Sequence, residues 1–394
     1  MTIDDAPRDA PRGGTRELLR LVASGAAVSR ADLARVSGLS PSTVSQRVEA
    51  LISEGLLTEA GAGKSRGGRR PRQLAVPTGR AVVGAIDLGA HHARIGTLDL
   101  TGQVVEARTL PVQIEDGPEV VLGPLLDEVQ AMAAGADGAV PGGAESRGRS
   151  LRGIGLGIPG PVQHGTGRVV GPSRMPGWNG FDVADFCRLR ADVPVVVDND
   201  ANLMALGAHH AIHPDLEHAV YVKAGTGIGA GVISGGRLHR GAQGSAGDIS
   251  HCRVVAESGP LCSCGNTGCL EAVASGAALV AALREQGLPV DDLTSVMRLI
   301  EDGDPQATAL ARRAGRSIGE ILAVVVNFFN PQVVAIGGRL AECEPLLASL
   351  RGTLYERCLP LATESLLIER VTVGPDVGIM GAAQLVIDRV VDPS

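Results

Sequence analysis

Short apolar runs that alternate with helical segments fill the chain after residue 81, and this alternation restricts the possible folds more than any other feature. Two such runs, 82–88 and 94–100, predict a β-hairpin. Further strand-like runs lie at 154–158, 193–197, 219–223 and 231–233, and helical patterns lie at 201–211 and 307–327. Strands interleaved with helices predict an α/β fold with mixed sheets.

Length and composition narrow the class of protein. A chain of 394 residues is long enough for two or three domains at roughly 150 residues per domain. Its 44% hydrophobic and 20% charged residues exclude a disordered chain and a small disulfide-stapled scaffold. We find no run of 18 apolar residues, and the first 14 residues are acidic and contain proline, so we expect neither a membrane span nor a secretory signal. A cytoplasmic protein is therefore expected.

The overall net charge of -7 conceals two parts of opposite sign. Residues 1–80 carry thirteen basic and eight acidic side chains, whereas the rest carries 23 basic and 35 acidic ones. A cationic front and an anionic body predict that the front binds a polyanion and the body a different ligand. The aromatic content of 2% argues against the stacking platforms that proteins use on RNA and single strands.

Three helical patterns in the basic part follow the order of a helix-turn-helix motif. The first begins at Thr15, the second is capped by Ser29 with Asp32 closing a capping box, and the third begins with Ser40 as N-cap and Pro41. In such a motif the N-terminal part of the last helix enters the major groove of DNA. The side chains predicted to contact DNA from this helix are Ser42, Thr43, Gln46 and Arg47.

A basic, glycine-rich loop at 61–71 lies between two strand-like segments, 56–59 and 73–76, and predicts a wing. Its cations can enter a narrow minor groove or bind phosphates. The alternative is a solvated linker behind an ordinary three-helix bundle, but the order of the signals favours DNA binding. Residues 14–77 resemble the winged helix of bacterial repressors, behind a flexible N-terminus at 1–13. The predicted wing contacts are Lys64, Arg66, Arg69 and Arg70.

A cluster of metal-binding residue types follows at 251–271. Cys262, Cys264 and Cys269, with His251 eleven residues before the first of them, supply the four donors of a closed, structural zinc site. Reduced, buried thiols are the alternative, and Cys252 is a possible substitute ligand.

Polar or glycine-rich segments at strand ends are the remaining candidates. Asp198, Asn199 and Asp200 emerge from an apolar strand, where a carboxylate can accept a proton from a hydroxyl, although a capped helix start fits equally well. Three further segments can hold phosphate or can be ordinary tight turns. Their residues are Asp87, Gly89, Thr226, Gly227, Gly337 and Gly338.

The order of these motifs resembles the ROK family of repressors, open reading frames and sugar kinases over residues 80–394. The cysteine motif is the most specific marker, and the others are 157–161, 176–178, 198–202, 226–229, 240–248 and 330–338. The resemblance implies a two-lobed, actin-like ATPase fold in a domain of residues 78–394. Its small lobe would comprise about 80–200 and a C-terminal helix at about 378–394, and its large lobe about 201–377.

The resemblance also implies a role for each matching residue. Asp200 matches the general base that takes a proton from a sugar hydroxyl. The implied sugar contacts are Asn199, Asp200, Asp248, His251 and Glu271, of which His251 is also a zinc ligand. The sequence departs from the kinases at two places. Asp248 stands where they carry glutamate, and Ala90 and His91 replace the glycine and threonine of the first phosphate loop, which should crowd the γ-phosphate of ATP.

These features predict a transcriptional regulator, a dimer or higher homo-oligomer, that binds a double-stranded operator and senses a sugar or sugar derivative. Zinc would be structural, and no membrane partner is expected. The alternative is a sugar kinase that uses Mg-ATP, with Asp200 as base, on a hexose or N-acetylhexosamine. A third interpretation is a DNA-binding protein whose sugar-kinase fold has lost its ligand.

Overall fold

The computed structural model describes residues 14–23, 25–62, 72–77, 81–135, 149–255 and 259–391. Within these ranges no helix is long and apolar enough to cross a membrane. The predicted N-terminal segment, the tip of the predicted wing and most of the low-complexity segment around 133–150 lie outside the described residues. The predicted DNA contacts that fall there are Lys64, Arg66, Arg69 and Arg70.

The front of the chain folds as a winged helix-turn-helix, as predicted. Its elements are α1 (Thr15–Ala23), α2 (Arg30–Ser37), α3 (Pro41–Ser53), β1 (Thr58–Ala62) and β2 (Arg72–Ala75), with β1 antiparallel to β2. The caps explain where α2 and α3 begin. Ser29 Oγ accepts the Asp32 amide at 3.2 Å and donates to the Asp32 carboxylate at 2.7 Å, and Ser40 Oγ accepts the Thr43 amide at 3.2 Å.

A five-stranded sheet forms the centre of the small lobe. Its elements are β3 (Ala81–Leu88), β4 (His92–Asp99), β5 (Val104–Pro111), α4 (Pro118–Ala134), β6 (Ser150–Ile158), β7 (Val162–Gln163), β8 (Arg168–Val169), α5 (Val183–Ala191) and β9 (Val195–Asn199). The strand order is β5-β4-β3-β6-β9, in which β3, β4 and β5 are antiparallel neighbours, and β6 runs parallel to both β3 and β9. The predicted hairpin of β3 and β4 is confirmed.

The large lobe contains a second five-stranded sheet with the same sequence of pairings. Its elements are α6 (Asp200–Ile212), β10 (His218–Ala224), β11 (Ile228–Ser234), β12 (Arg237–His239), α7 (Leu270–Ala274), α8 (Gly276–Glu285), α9 (Leu293–Glu301), α10 (Pro305–Phe329), β13 (Val333–Gly337), α11 (Glu344–Arg357), α12 (Pro360–Thr363) and β14 (Leu367–Arg370). The order is β12-β11-β10-β13-β14, antiparallel up to β10 and parallel from there on. Both sheets contain antiparallel and parallel strand pairs, which confirms the predicted α/β fold with mixed sheets.

The last helix, α13 (Val377–Val391), returns to the small lobe and packs on α6, β3 and β6. Glycines allow this close approach. A Cβ on Gly381 would lie 1.9 Å from the Leu203 carbonyl oxygen of α6, and one on Gly155 of β6 would lie 1.9 Å from that of Ala382. One apolar cluster continues from α1, α2 and α3 through β3 and β4 into α13. The DNA-binding domain and the small lobe therefore share a core.

Candidate functional site

The four predicted zinc donors converge on one point. The ligand atoms of His251, Cys262, Cys264 and Cys269 all lie within 4.8 Å of one another. His251 Nδ1 is 3.6 Å from Cys262 Sγ, and Cys264 Sγ is 3.8 Å from Cys269 Sγ. A tetrahedral zinc ion, with Zn–S near 2.3 Å and Zn–N near 2.0–2.1 Å, sets such pairs about 3.6 and about 3.8 Å apart. The donor set therefore fits zinc, and Cys252 lies outside the cluster.

Backbone hydrogen bonds attach this cysteine loop to the rest of the large lobe. Cys269 is the N-cap of α7, the Leu270 amide donates to the Cys252 carbonyl at 2.8 Å, and the Glu271 amide donates to the Ser250 carbonyl at 2.9 Å. An ion held by the loop would thus also fix the buried carboxylate of Glu271, two residues after the last cysteine.

Arg174 connects the small lobe to this loop and was not predicted from the sequence. Its Nη2 lies 3.6 Å from Glu271 Oε1, and its Nε donates to Ser263 Oγ at 3.4 Å. Glu271 Oε2 is also close to Gly227, where a Cβ would approach it to 3.1 Å. Three segments that are distant in sequence thus meet at one carboxylate.

The segment 198–200 lies where β9 passes into α6. Asn199 caps the helix: its Oδ1 accepts the Ala201 amide at 2.9 Å, and its Nδ2 donates to the Gly160 carbonyl at 3.0 Å. The capped helix start that the sequence left open is therefore present. The sugar contact implied for Asn199 stays a prediction, because both ends of its amide already have partners.

Asp198 and Asp200, on either side of Asn199, have cationic partners that were not predicted. Asp198 is buried and accepts from Arg240 Nε at 2.6 Å and from Asn202 Nδ2 at 2.8 Å. Asp200 Oδ2 accepts from Lys223 Nζ of β10 at 2.8 Å. The position of Arg240 in the motif at 240–248 was the only signal for it, and Lys223 is one of two lysines in the chain.

Asp87 reaches the same place from β3 of the small lobe. Its Oδ1 lies 3.6 Å from Lys223 Nζ. Burial raises the pKa of the Asp87 carboxyl, and Lys223 opposes part of this shift. The ends of β3, β9 and β10 therefore place two carboxylates around one ammonium group.

The glycine loops predicted to hold phosphate lie close to Lys223 and its two carboxylates. Contacts within the protein account for several of their glycines. The Gly89 amide donates to the His92 carbonyl at 2.8 Å, which closes the β3–β4 turn. A Cβ on Gly338 would lie 2.4 Å from the Ala224 carbonyl oxygen, and one on Gly337 would lie 2.6 Å from Met204 Sδ. The Thr226 carbonyl accepts from the Ala277 amide at 3.0 Å. Nucleotide contacts of these loops stay predictions.

Asp248, the second predicted carboxylate of the sugar site, is exposed. Its Oδ1 accepts the Ser250 amide at 3.1 Å and also contacts the Ser250 hydroxyl, next to the predicted zinc ligand His251. This places Asp248 three residues before His251, on the same segment that supports Glu271. The ligand contact itself is untested.

On the DNA-binding domain, the predicted contact face of α3 is accessible. Ser42 and Gln46 are exposed, and Thr43 and Arg47 are half-buried, whereas Val44 and Val48 face the core. Arg47 Nη1 itself is buried, and no atom in the described part of the chain hydrogen-bonds it.

Ion pairs hold the wing strands to this helix. Arg30 of α2 contacts Glu59 of β1 at 2.5 Å and Glu49 of α3 at 2.6 Å, and Arg72 of β2 also contacts Glu59. These pairs fix the base of the wing beside the face of α3.

The architecture is that of a winged-helix DNA-binding protein joined to a two-lobed α/β body. Comparisons with known proteins assign it further. A model described as ROK family matches residues 83–389, and one described as winged helix-turn-helix DNA-binding matches residues 15–58. The chain belongs to the ROK family.

Two relatives and a solved structure support this assignment. The xylose repressor of Bacillus subtilis is 30% identical over 379 residues, which cover 95% of each chain. The DNA-binding transcriptional dual regulator NagC of Escherichia coli is 30% identical over 342 residues, 83% of this chain and 80% of NagC. A crystal structure of a ROK family transcriptional regulator, described as a homolog of the Escherichia coli MLC protein, superposes with a TM-score of 0.79 at 25% identity and covers 96% of both chains.

Proposed function

We propose that the protein is a sugar-responsive transcriptional repressor. The observation that carries this proposal is the shared core: the helix-turn-helix and the small lobe of the ROK body are packed as one apolar cluster. The two lobes meet at Asp87 and Lys223 and at Arg174 and Glu271, and we call this junction the cleft. A change in how the lobes are arranged at the cleft would therefore move α3 relative to DNA. Relatives named as repressors for xylose and N-acetylglucosamine support a sugar as the effector.

The path from cleft to DNA would run through α6 and α13. Asp200 begins α6, α6 packs on α13 through Gly207 and Gly381, and α13 contacts α1. A second link is Arg152 of β6, which donates to the Glu54 carbonyl at the end of α3. Because the α6–α13 contact is between backbones, it would transmit a shift rather than absorb it.

The sugar would bind where β9 ends and α7 begins. The residues proposed to contact it are Asn199, Asp200, Asp248, His251 and Glu271. Support comes from the meeting of Glu271 with Arg174 of the other lobe, because closure around a ligand would alter this cross-lobe contact. Carboxylates suit a polyhydroxylated ligand, since each oxygen can accept from a hydroxyl group.

Zinc would be held by His251, Cys262, Cys264 and Cys269 and would have a structural role. The matched donor separations support it, and the four protein ligands leave no open position for catalysis. The ion would order the loop that carries Glu271, so that metal content and sugar binding would be coupled.

A homodimer is proposed from an exposed apolar surface, the α10–α12 patch, formed by Val324, Phe328, Tyr355, Leu359 and Leu361. Phe328 is 91% exposed and Leu361 is 82% exposed. The segment at Leu359 lies next to α10, because the Leu359 amide donates to Asn327 Oδ1 at 3.0 Å. Clustered exposed apolar side chains mark interaction surfaces, and a second copy would place two wings on a two-fold symmetric operator.

Fluorescence anisotropy with a labelled duplex tests the proposal. The duplex is a promoter fragment selected from the DNA of the source organism by binding to the zinc-loaded protein. A duplex of scrambled sequence is the control. We expect specific binding that xylose, N-acetylglucosamine or another member of a sugar panel changes by about 5- to 150-fold. Equal binding to both duplexes, or an affinity that no sugar changes, would refute the proposal.

A further inference from the structure

Lys223 lies at the point where the two lobes meet. Its Nζ is 2.8 Å from Asp200 Oδ2 and 3.6 Å from Asp87 Oδ1. Asp87 belongs to the sheet of the small lobe, whereas Lys223 belongs to that of the large lobe. One ammonium group therefore joins both lobes through two carboxylates.

Two neighbouring carboxylates repel each other, and either a shared proton or a cation between them relieves this repulsion. In many proteins such a pair of oxygen ligands holds a divalent metal ion. Here the chain supplies the cation itself. Burial lowers the pKa of Lys223, but the nearby carboxylates of Asp200 and Asp87 raise it by more. The pKa of Lys223 therefore lies above its ordinary value.

We propose that the Lys223 ammonium is a built-in cation that takes the place of a divalent metal between Asp87 and Asp200, so that the cleft binds its ligand without phosphorylating it. The residues around Asp87 do not fit Mg-ATP for the same reason: the position beside this carboxylate is filled by a fixed positive charge. Asp200 is likewise engaged, since one of its two oxygens, Oδ2, already accepts from Nζ at 2.8 Å.

The first loop supports this assignment independently. The Gly89 amide donates to the His92 carbonyl at 2.8 Å, and the His92 ring lies against Gly89, where a Cβ would approach it to 3.4 Å. The Gly89 amide and the space beside it are thus occupied by His92 and are not open to a phosphate group. The inference goes beyond the repressor function and needs neither an operator nor a sugar, so the two can fail separately.

Binding of Mn²⁺ to the zinc-loaded, full-length protein tests the proposal, with free Mn²⁺ measured by electron paramagnetic resonance. The variant Lys223→Met removes the charge and keeps an unbranched side chain. We expect it to bind one Mn²⁺ per chain at least about tenfold more tightly than the wild type. The double variant Lys223→Met/Asp87→Asn, which lacks one carboxylate, should lose this gain.

A folded Lys223→Met variant that binds Mn²⁺ no better than the wild type would overturn the proposal. Circular dichroism establishes the fold. If this variant does not fold, Mn²⁺ binding by the wild type and by Asp87→Asn still tests the proposal. The proposal predicts that both bind Mn²⁺ equally weakly, and Mn²⁺ binding by the wild type that Asp87→Asn abolishes would contradict it.

Discussion

The contact between α6 and α13 gives the sharpest test of how the body is held together. Gly381 in α13 faces the backbone of α6, and a Cβ added there would lie 1.9 Å from the Leu203 carbonyl oxygen. Ordinary contact begins at 3.4 Å, so the variant Gly381→Ala must separate the two helices by about 1.5 Å. Side-chain rotation cannot relieve this overlap, because a Cβ and a backbone oxygen have fixed positions on their helices.

The expected cost follows from two opposing contributions. Overpacking of this kind costs roughly 1–3 kcal/mol, and a clash with backbone belongs at the upper end of that range. Alanine is favoured over glycine inside a helix by about 1 kcal/mol, which offsets part of it. We expect Gly381→Ala to lower the free energy of unfolding by about 2 kcal/mol.

Gly352 in α11 is the matched control, because it is a helical glycine at which an added Cβ would meet no atom of the described residues within 4 Å. Gly352→Ala should raise the stability by up to about 1 kcal/mol. Thermal unfolding followed by circular dichroism separates the variants, since about 2 kcal/mol corresponds to roughly 3 °C for a body of about 320 residues. Equal melting temperatures of the two variants would refute the close α6–α13 packing.

Three further predictions concern zinc, assembly and DNA. Cys264→Ser should reduce bound zinc, measured by mass spectrometry, well below one ion per chain, whereas Cys252→Ser outside the cluster should not; equal zinc contents would contradict the four-donor site. Phe328→Glu should convert dimers to monomers in analytical ultracentrifugation, and Val120→Glu, at an exposed position on α4 outside the patch, should leave them intact; a dimeric Phe328→Glu would exclude the α10–α12 patch as the interface. Gln46→Ala should cost about 1–3 kcal/mol on the operator but little on scrambled DNA, and equal losses on both would show that Gln46 does not read bases.

Local signals in the sequence predicted local structure well. The caps Ser29 and Ser40 fixed the starts of α2 and α3, because each satisfies a free amide within its own first turn. The convergence of His251 and the three cysteines was equally readable, since the four lie within nineteen residues of one another in the sequence. The resemblance to the ROK family supplied the two lobes, which periodicity alone did not indicate.

Pairings between distant segments could not be read from the sequence. Lys223 and Asp87 are in different sheets, and Arg240 meets Asp198 only after the large lobe has folded against β9. Asn199 was ambiguous because the same amide can cap a helix or bind a sugar, and only the positions of Ala201 and Gly160 show the cap. The two sheets share the order and direction of their strands. This similarity could not be predicted, because the sequence contains no short repeat that corresponds to it.

The central claim is that one ligand site in the cleft and one DNA surface on α3 are energetically coupled. Reciprocity tests it most directly: the factor by which the sugar changes operator affinity must equal the factor by which the operator changes sugar affinity. Isothermal titration of the sugar into the zinc-loaded protein, with and without saturating operator duplex, measures the second factor. We predict that the two factors agree within error. An unchanged sugar affinity in the presence of operator would contradict the account.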